Sequence, residues 1–179
     1  MPQQQTITTY NFSELSEAVR EKLIESYELS DWWDSWVIDE IKEEAKELGI
    51  EDFDFQYSGF WSQGDGLSFT GTLSEELVEK IYKEKVNRDG FGPENPPFTV
   101  EFSRTMSSYC HEKTVNARVD GCPDEEDNHF FEGVFNDWKD ELCKKWYQML
   151  YNVYEEDTSE ERIKEEYEGF QFLEDGRIL

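Results

Sequence analysis

Carboxylates are the side chains that this sequence supplies in both the number and the spacing that chemistry needs. They crowd its last third: Asp124, Glu125, Glu126 and Asp127, then Glu132, Asp137, Asp140 and Glu141, then Glu155, Glu156, Asp157, Glu160, Glu161, Glu165, Glu166 and Glu168. On a helix, carboxylates three or four residues apart lie about 5–6 Å from one another. Successive phosphates of a nucleic-acid strand, taken at roughly twice the 3.4 Å rise per nucleotide, are spaced similarly. A rigid body bearing such rows can present a phosphate-like array to a basic groove. The plain alternative is a set of solvated helix faces. Glycoside hydrolysis also uses paired carboxylates, but here they are so abundant that no single pair is picked out.

The overall balance favours the array. The chain carries 43 acidic against 17 basic residues in 179, a formal net charge of -26. A disordered acidic tail would lack aromatic residues, whereas this chain has 13 Phe, 9 Tyr and 6 Trp with which to build a core. The charge therefore sits on a folded body, at a density that opposes compaction and exceeds what solubility requires. A cationic partner accounts for the surplus. Direct binding to nucleic acid or to an anionic membrane does not fit, because both are themselves negative. Trp32, Trp36 and Trp61 are candidate anchors at the edge of the acidic surface, since Trp often dominates interface energetics. Core packing is the alternative for each, least so for Trp61 beside its glycine-rich tip.

Other chemistries find less support. Cys110, His111, Cys122 and His129 are residue types that zinc accepts, but no Cys-x-x-Cys or His-x-x-x-His spacing fixes a geometry, so no metal is expected. The run Asp120-Gly-Cys-Pro-Asp124 lacks the oxygen spacing of a calcium loop. No Gly-x-Ser-x-Gly elbow or other nucleophile motif occurs. The expectation is a protein that is not an enzyme, with no catalytic residues and no cofactor. Three cysteines at irregular spacing fit reduced thiols. Met1-Pro-Gln-Gln-Gln5 has neither the basic flank nor the apolar stretch of a signal peptide, and no apolar run approaches the ~20 residues needed to span a bilayer, so a cytoplasmic protein is expected.

The most distinctive local sequence is Tyr57-Ser-Gly-Phe-Trp-Ser-Gln-Gly-Asp-Gly-Leu-Ser-Phe-Thr-Gly71. Its glycines permit tight turning, and Asp65 between Gly64 and Gly66 is placed at an exposed tip. A phosphate-cradling loop would add a lysine and lead into a helix, so a structural hairpin is the simpler role, with a ligand site at Gln63-Gly64-Asp65 as the alternative. Residues Ser58 to Phe69 resemble a Ser-Gly-Phe-x-Ser-Gln-Gly-Asp-Gly-x-x-Phe segment of small uncharacterised phage-related proteins, which implies a phage-related origin. In charge and size the chain also resembles phage-encoded DNA mimics that block restriction enzymes and CRISPR effectors. That likeness implies an anti-CRISPR or anti-restriction type of inhibitor, without nominating contact residues.

Positioning these groups falls to a single α+β domain over residues 1–179. Leu15, Val19, Leu23 and Tyr27 recur at helical spacing behind Ser13 as N-cap. A second helix follows Ser30-Asp31 through Trp33, Val37, Ile41, Ala45 and Leu48 to Gly49, with an opposite face of Asp34, Asp39, Glu40, Glu43, Glu44 and Glu47. Period-two alternation at Phe53, Phe55 and Tyr57, a tip over 62–66 and the run 67–71 form a hairpin. Thr72 with Glu75 caps a third helix, residues 87–97 form a loop, and 98–104 and 114–119 complete an antiparallel sheet of about four strands. A long helix with Phe131, Val134, Phe135, Trp138, Leu142, Trp146, Met149 and Val153 inward covers one sheet face. Thr158 with Glu161 caps a short acidic helix, and Phe170-Gln-Phe172 makes a last strand.

The functional expectation is an acidic inhibitor that mimics nucleic acid and occupies the basic surface of a host defence or DNA-processing protein, as a monomer or a two-fold dimer. The alternatives are an antitoxin or chaperone-like partner of a basic protein, and a small enzyme or ligand-binding module at the Gly-Asp-Gly hairpin.

Overall fold

Alternating apolar and polar residues build the sheet that the pattern demands. Strands β1 (Ile50–Tyr57), β2 (Leu67–Leu73), β3 (Thr99–Arg104) and β4 (Val115–Asp120) form an antiparallel meander in the order β1-β2-β3-β4. Helices α1 (Glu17–Glu25), α2 (Ser35–Leu48), α3 (Glu75–Lys85), α4 (Glu125–Asp157) and α5 (Glu160–Tyr167) complete an α+β fold. This computed structural model describes residues 7–86, 98–105, 107, 109–122 and 125–179, without the side chains of Glu125 and Glu126. The loop expected over 87–97 lies outside the described residues. No helix among the described residues is long and apolar enough to cross a membrane.

Within the span that the sequence reads as one domain, contacts gather into two compact units: the residues up to Asp34 with Asn152–Leu179, and Ser35–Tyr151. In the first, Phe12, Leu15, Ile163, Tyr167 and Phe172 are buried together, with Val19, Leu23 and Tyr27 against them. Tyr167 lies 5.3 Å from Phe12 and 5.8 Å from Phe172 between ring centroids. Three local expectations are corrected. Residues Phe12–Glu14 form a 3-10 turn whose Glu14 carboxylate accepts from the Asn11 N–H (2.8 Å), so α1 begins behind Ser16 and not Ser13. Ser159, not Thr158, caps α5, its Oγ accepting from the Arg162 N–H (3.3 Å). The last strand is reduced to isolated bridges from Phe172 to Tyr10 and Ile178.

In the second unit α2 starts at Ser35, later than Ser30-Asp31 indicates, and ends where Gly49 takes φ +90°, a conformation that favours glycine and turns the chain directly into β1. A bulge between Glu51 and Asp54, with Asp52 at φ 51°, brings Phe53 to the core side. Ser74, not Thr72, caps α3 by accepting from the Leu77 N–H at 3.3 Å. The covered sheet face carries Leu67, Phe69, Leu73, Val100, Phe102, Val115, Ala117 and Val119, all buried. Upon it pack Val37, Ile41 and Ala45 of α2, Leu77, Val78, Ile81 and Tyr82 of α3, and Phe135, Cys143, Trp146 and Leu150 of α4. Each fully buried large apolar side chain contributes about 1.5–3 kcal/mol.

The buried line of α4 differs from the expected one in a specific way. Phe135, Trp146 and Val153 are buried as expected, but Lys139 and Asp140 are buried between them. Trp138, Leu142 and Met149 flank this line half-buried, Trp138 stacking on Phe102 at 6.2 Å.

All three cysteines are free thiols. Burial pushes the Cys143 thiol from 9.0 up to about 12; Lys139 opposes the rise, while Asp140 and Glu112 add to it. A thiol that holds its proton longer when folded adds stability in full below pH 9, and that stability is lost as the pH climbs through about 12. Urea titrations between pH 9 and 12 are expected to show wild-type stability falling more steeply than that of Cys143→Ala, by up to about 1.4 kcal/mol per pH unit.

Candidate functional site

The acidic helix faces divide unevenly between free display and internal pairing. In α4, Asp127 and Asp137 are exposed, Glu132 is half-buried beside His129 Nδ1 (3.2 Å), and Glu141 reaches Lys85 Nζ at 3.1 Å. Glu125 and Glu126 open the helix, their side chains outside the described residues. The exposed line of α4 reads Phe130, Gly133, Asp137, Glu141 and Lys144, which is a mixed surface and not a row of carboxylates.

Asp140 does not belong to the acidic surface. It is buried in an ion pair with Lys113 and lies 3.2 Å from Lys139 Nζ. The reason is topological: the same turn of α4 closes the outer edge of β4. Lys139, 1% exposed, donates from Nζ to the carbonyls of Glu112 (2.6 Å) and Val115, and Asn136 Oδ1 accepts from the Ala117 N–H at 2.9 Å.

In the first unit, the end of α4 and α5 carry Glu155, Glu156, Glu160, Glu161 and Glu165 outward and Asp157 half-buried. Several are matched by cations: Glu160 pairs with Lys164, and Arg162 lies 3.9 Å from Asp157 and 3.5 Å from Glu165. Glu166 accepts the Tyr27 hydroxyl at 2.6 Å. Desolvation first, then this bond and the Glu166 charge, pushes the Tyr27 phenol from 10.0 up to about 12.

The mostly acidic face of α2 lies outside the set of residues expected to bind a partner. On α2, Trp36, Glu40, Glu43 and Glu47 succeed one another by four, three and four residues, all exposed, with Asp39 alongside. The opposite face, Val37, Ile41 and Ala45, is fully buried, so the carboxylates stand on a fixed support. Glu44, on the flank, ties α2 to α4 by accepting from Trp146 Nε1 (3.0 Å) and pairing with Lys145. The signal was legible as an acidic stripe opposite an apolar one, begun by a tryptophan.

All three candidate anchors are exposed: Trp32 by 78%, Trp36 by 58% and Trp61 by 75%. Trp61 rides on a braced loop. The Asp65 carboxylate, expected as a possible anchor, accepts from the Trp61 N–H (2.9 Å) and the Ser62 N–H (2.6 Å) and so organises the tip. Those backbone bonds hold its carboxyl below the usual range. Phe60 packs on Tyr147 and Tyr151 of α4 (5.3 and 5.5 Å), and Tyr147 donates to the Gly59 carbonyl at 2.6 Å. Tyr109 and His111 lie against Gly64 and Gly66 so closely that a Cβ would come within 2.2 Å of the Tyr109 ring and 2.8 Å of His111 Cβ. Nothing in the sequence spacing foretold that cover.

Among the described residues, no three His, Cys, Asp or Glu side chains are grouped to hold a metal ion. No curated protein and no solved structure matches the chain. A family model, Domain of unknown function (DUF8835), matches residues 32–160, which include α2 with its acidic stripe, the whole sheet and the Trp61 loop with the residues that brace it. The chain therefore belongs to the DUF8835 family.

Proposed function

We propose that the protein is an acidic inhibitor that works in the cytoplasm by occupying the basic nucleic-acid-binding surface of a host defence or DNA-processing protein. The observation that carries this reading is the α2 stripe of Trp36, Glu40, Glu43 and Glu47, backed by a fully buried face. Its carboxylates repeat every three or four residues, about 5–6 Å apart, a spacing similar to that of successive phosphates taken at roughly twice the 3.4 Å rise per nucleotide. Trp36 at one end supplies an apolar anchor of the kind that dominates binding energy. Lys42 and Lys46 are on the same helix, with Lys46 3.6 Å from Glu43, yet acid prevails along the stripe.

The test is displacement of labelled duplex DNA from purified restriction enzymes and CRISPR effectors. For a true target the protein releases the DNA, and the effect disappears as salt rises from roughly 0.05 M to roughly 0.5 M. Glu40→Gln, Glu43→Gln and Glu47→Gln together weaken displacement about 100-fold, as expected for three lost charge pairs in a closed interface. A complex that forms alongside bound DNA, or one indifferent to these three substitutions, overturns the reading.

A further inference from the structure

The two edges of the sheet are treated differently. Thr105 N–H donates to the Thr114 carbonyl (2.8 Å), and antiparallel alternation from that pair turns the backbone groups of Val115 and Ala117 away from β3. Two of those outward groups are taken up by α4: Lys139 Nζ holds the Val115 carbonyl and Asn136 the Ala117 N–H. The β4 edge is thus closed by a buried ammonium and an amide.

At the other edge, Ser58 N–H donates to the Gly66 carbonyl at 3.1 Å. The same alternation bonds Asp54 and Gln56 to β2 and directs the N–H and C=O of Phe55 outward. Among the described residues, no strand pairs with this side of β1. Beside it runs a groove of about 270 Å³ lined by Ile38, Lys42, Phe53, Asp54, Phe55 and Tyr57. Phe53 and Phe55 stack at 5.6 Å, half-buried, along the groove, whereas Asp54 and Gln56 point to the open face of the sheet.

We infer that β1 accepts an extended segment of a cationic partner as a fifth strand, its side chains alternating between apolar and basic. The inference rests on the cationic-partner reading above and deepens it. Residues of such a strand facing the groove would cover Phe53 and Phe55, and those facing the other way would bring Lys or Arg to Asp54. Glu51, Asp52 and Asp54 give this margin a negative charge that attracts a basic segment and disfavours the approach of a second, equally acidic copy. The bulge at Asp52 confines regular pairing to the part of β1 beyond it, centred on Phe55.

The probes are three acetylated octapeptides, alternating Val-Lys, Val-Glu and Gly-Lys, added to the full chain at low salt. Val-Lys slows amide exchange at Phe55 about ten-fold, and the other two leave it unchanged. Phe55→Pro removes the outward donor without touching the β1–β2 bonds and weakens Val-Lys binding about ten-fold, while Phe55→Leu, which keeps the donor, stays within about three-fold. The exchange measurement on wild type decides the matter if the proline variant does not fold. Equal protection by Gly-Lys, self-association that protects Phe55 without peptide, or Val-Lys perturbing only the α2 stripe overturns the edge proposal. In that last case the acidic-inhibitor reading stands; if no cationic peptide binds anywhere, both fall.

Discussion

Replacing Lys139 with Met lowers unfolding stability by about 3–5 kcal/mol, the cost of breaking one side of a buried charged network. The ammonium is 1% exposed and serves the Glu112 and Val115 carbonyls while lying 3.2 Å from Asp140. Methionine fills much of the volume but donates nothing, so two carbonyls lose their donor, each at about 1–3 kcal/mol, and Asp140 keeps only Lys113. The loss should also reopen the edge of β4, so the variant is expected to aggregate at concentrations that wild type tolerates. Urea unfolding gives the first effect and light scattering the second. A variant within about 1 kcal/mol of wild type would mean that the polar cluster is incidental to stability.

Trp146→Ala is expected to cost about 3–5 kcal/mol by the same urea measurement. Its indole is fully buried, edge-on to Phe53 and Phe69 at 5.4 and 5.3 Å, and its N–H is the bond that fastens Glu44 of α2. Truncation leaves a cavity between sheet and helices and strands a half-buried carboxylate with Lys145 alone. Trp146→Phe retains most of the packing and loses the bond, so about 1–2 kcal/mol is expected. The difference between the two separates cavity from hydrogen bond.

What could be read from the sequence follows the range of each interaction. Gly49 ended α2, and the Phe53-Phe55-Tyr57 alternation found β1, because helix ends and strand periods are written in neighbouring residues. Helix starts differ by one to three residues from the caps expected at Ser13, Thr72 and Thr158, because another serine stands within three positions of each and offers the same cap. Asp140 reads from the sequence as one of the surface carboxylates; its burial with Lys139 depends on Glu112, Lys113 and Val115, more than twenty residues away across a turn. Asp65 was legible as a turn residue but not as the acceptor that organises its loop. Trp32 and Trp36 could equally have widened the apolar line of α2, and their exposure, like that of Trp61, is decided by packing that the periodicity does not contain. The acidity of the α2 face is written in its sequence, but its fixed support is not, because that depends on Val37, Ile41 and Ala45 being buried against the rest of the fold.

The closure of β4 has a consequence for assembly. A sheet with two available margins can polymerise, each molecule receiving one neighbour and offering itself to the next. Here α4 occupies the far margin at Val115 and Ala117, which obstructs the relay of an addition at β1 to a following copy. Growth stops after a single step, and stoichiometry is limited by architecture.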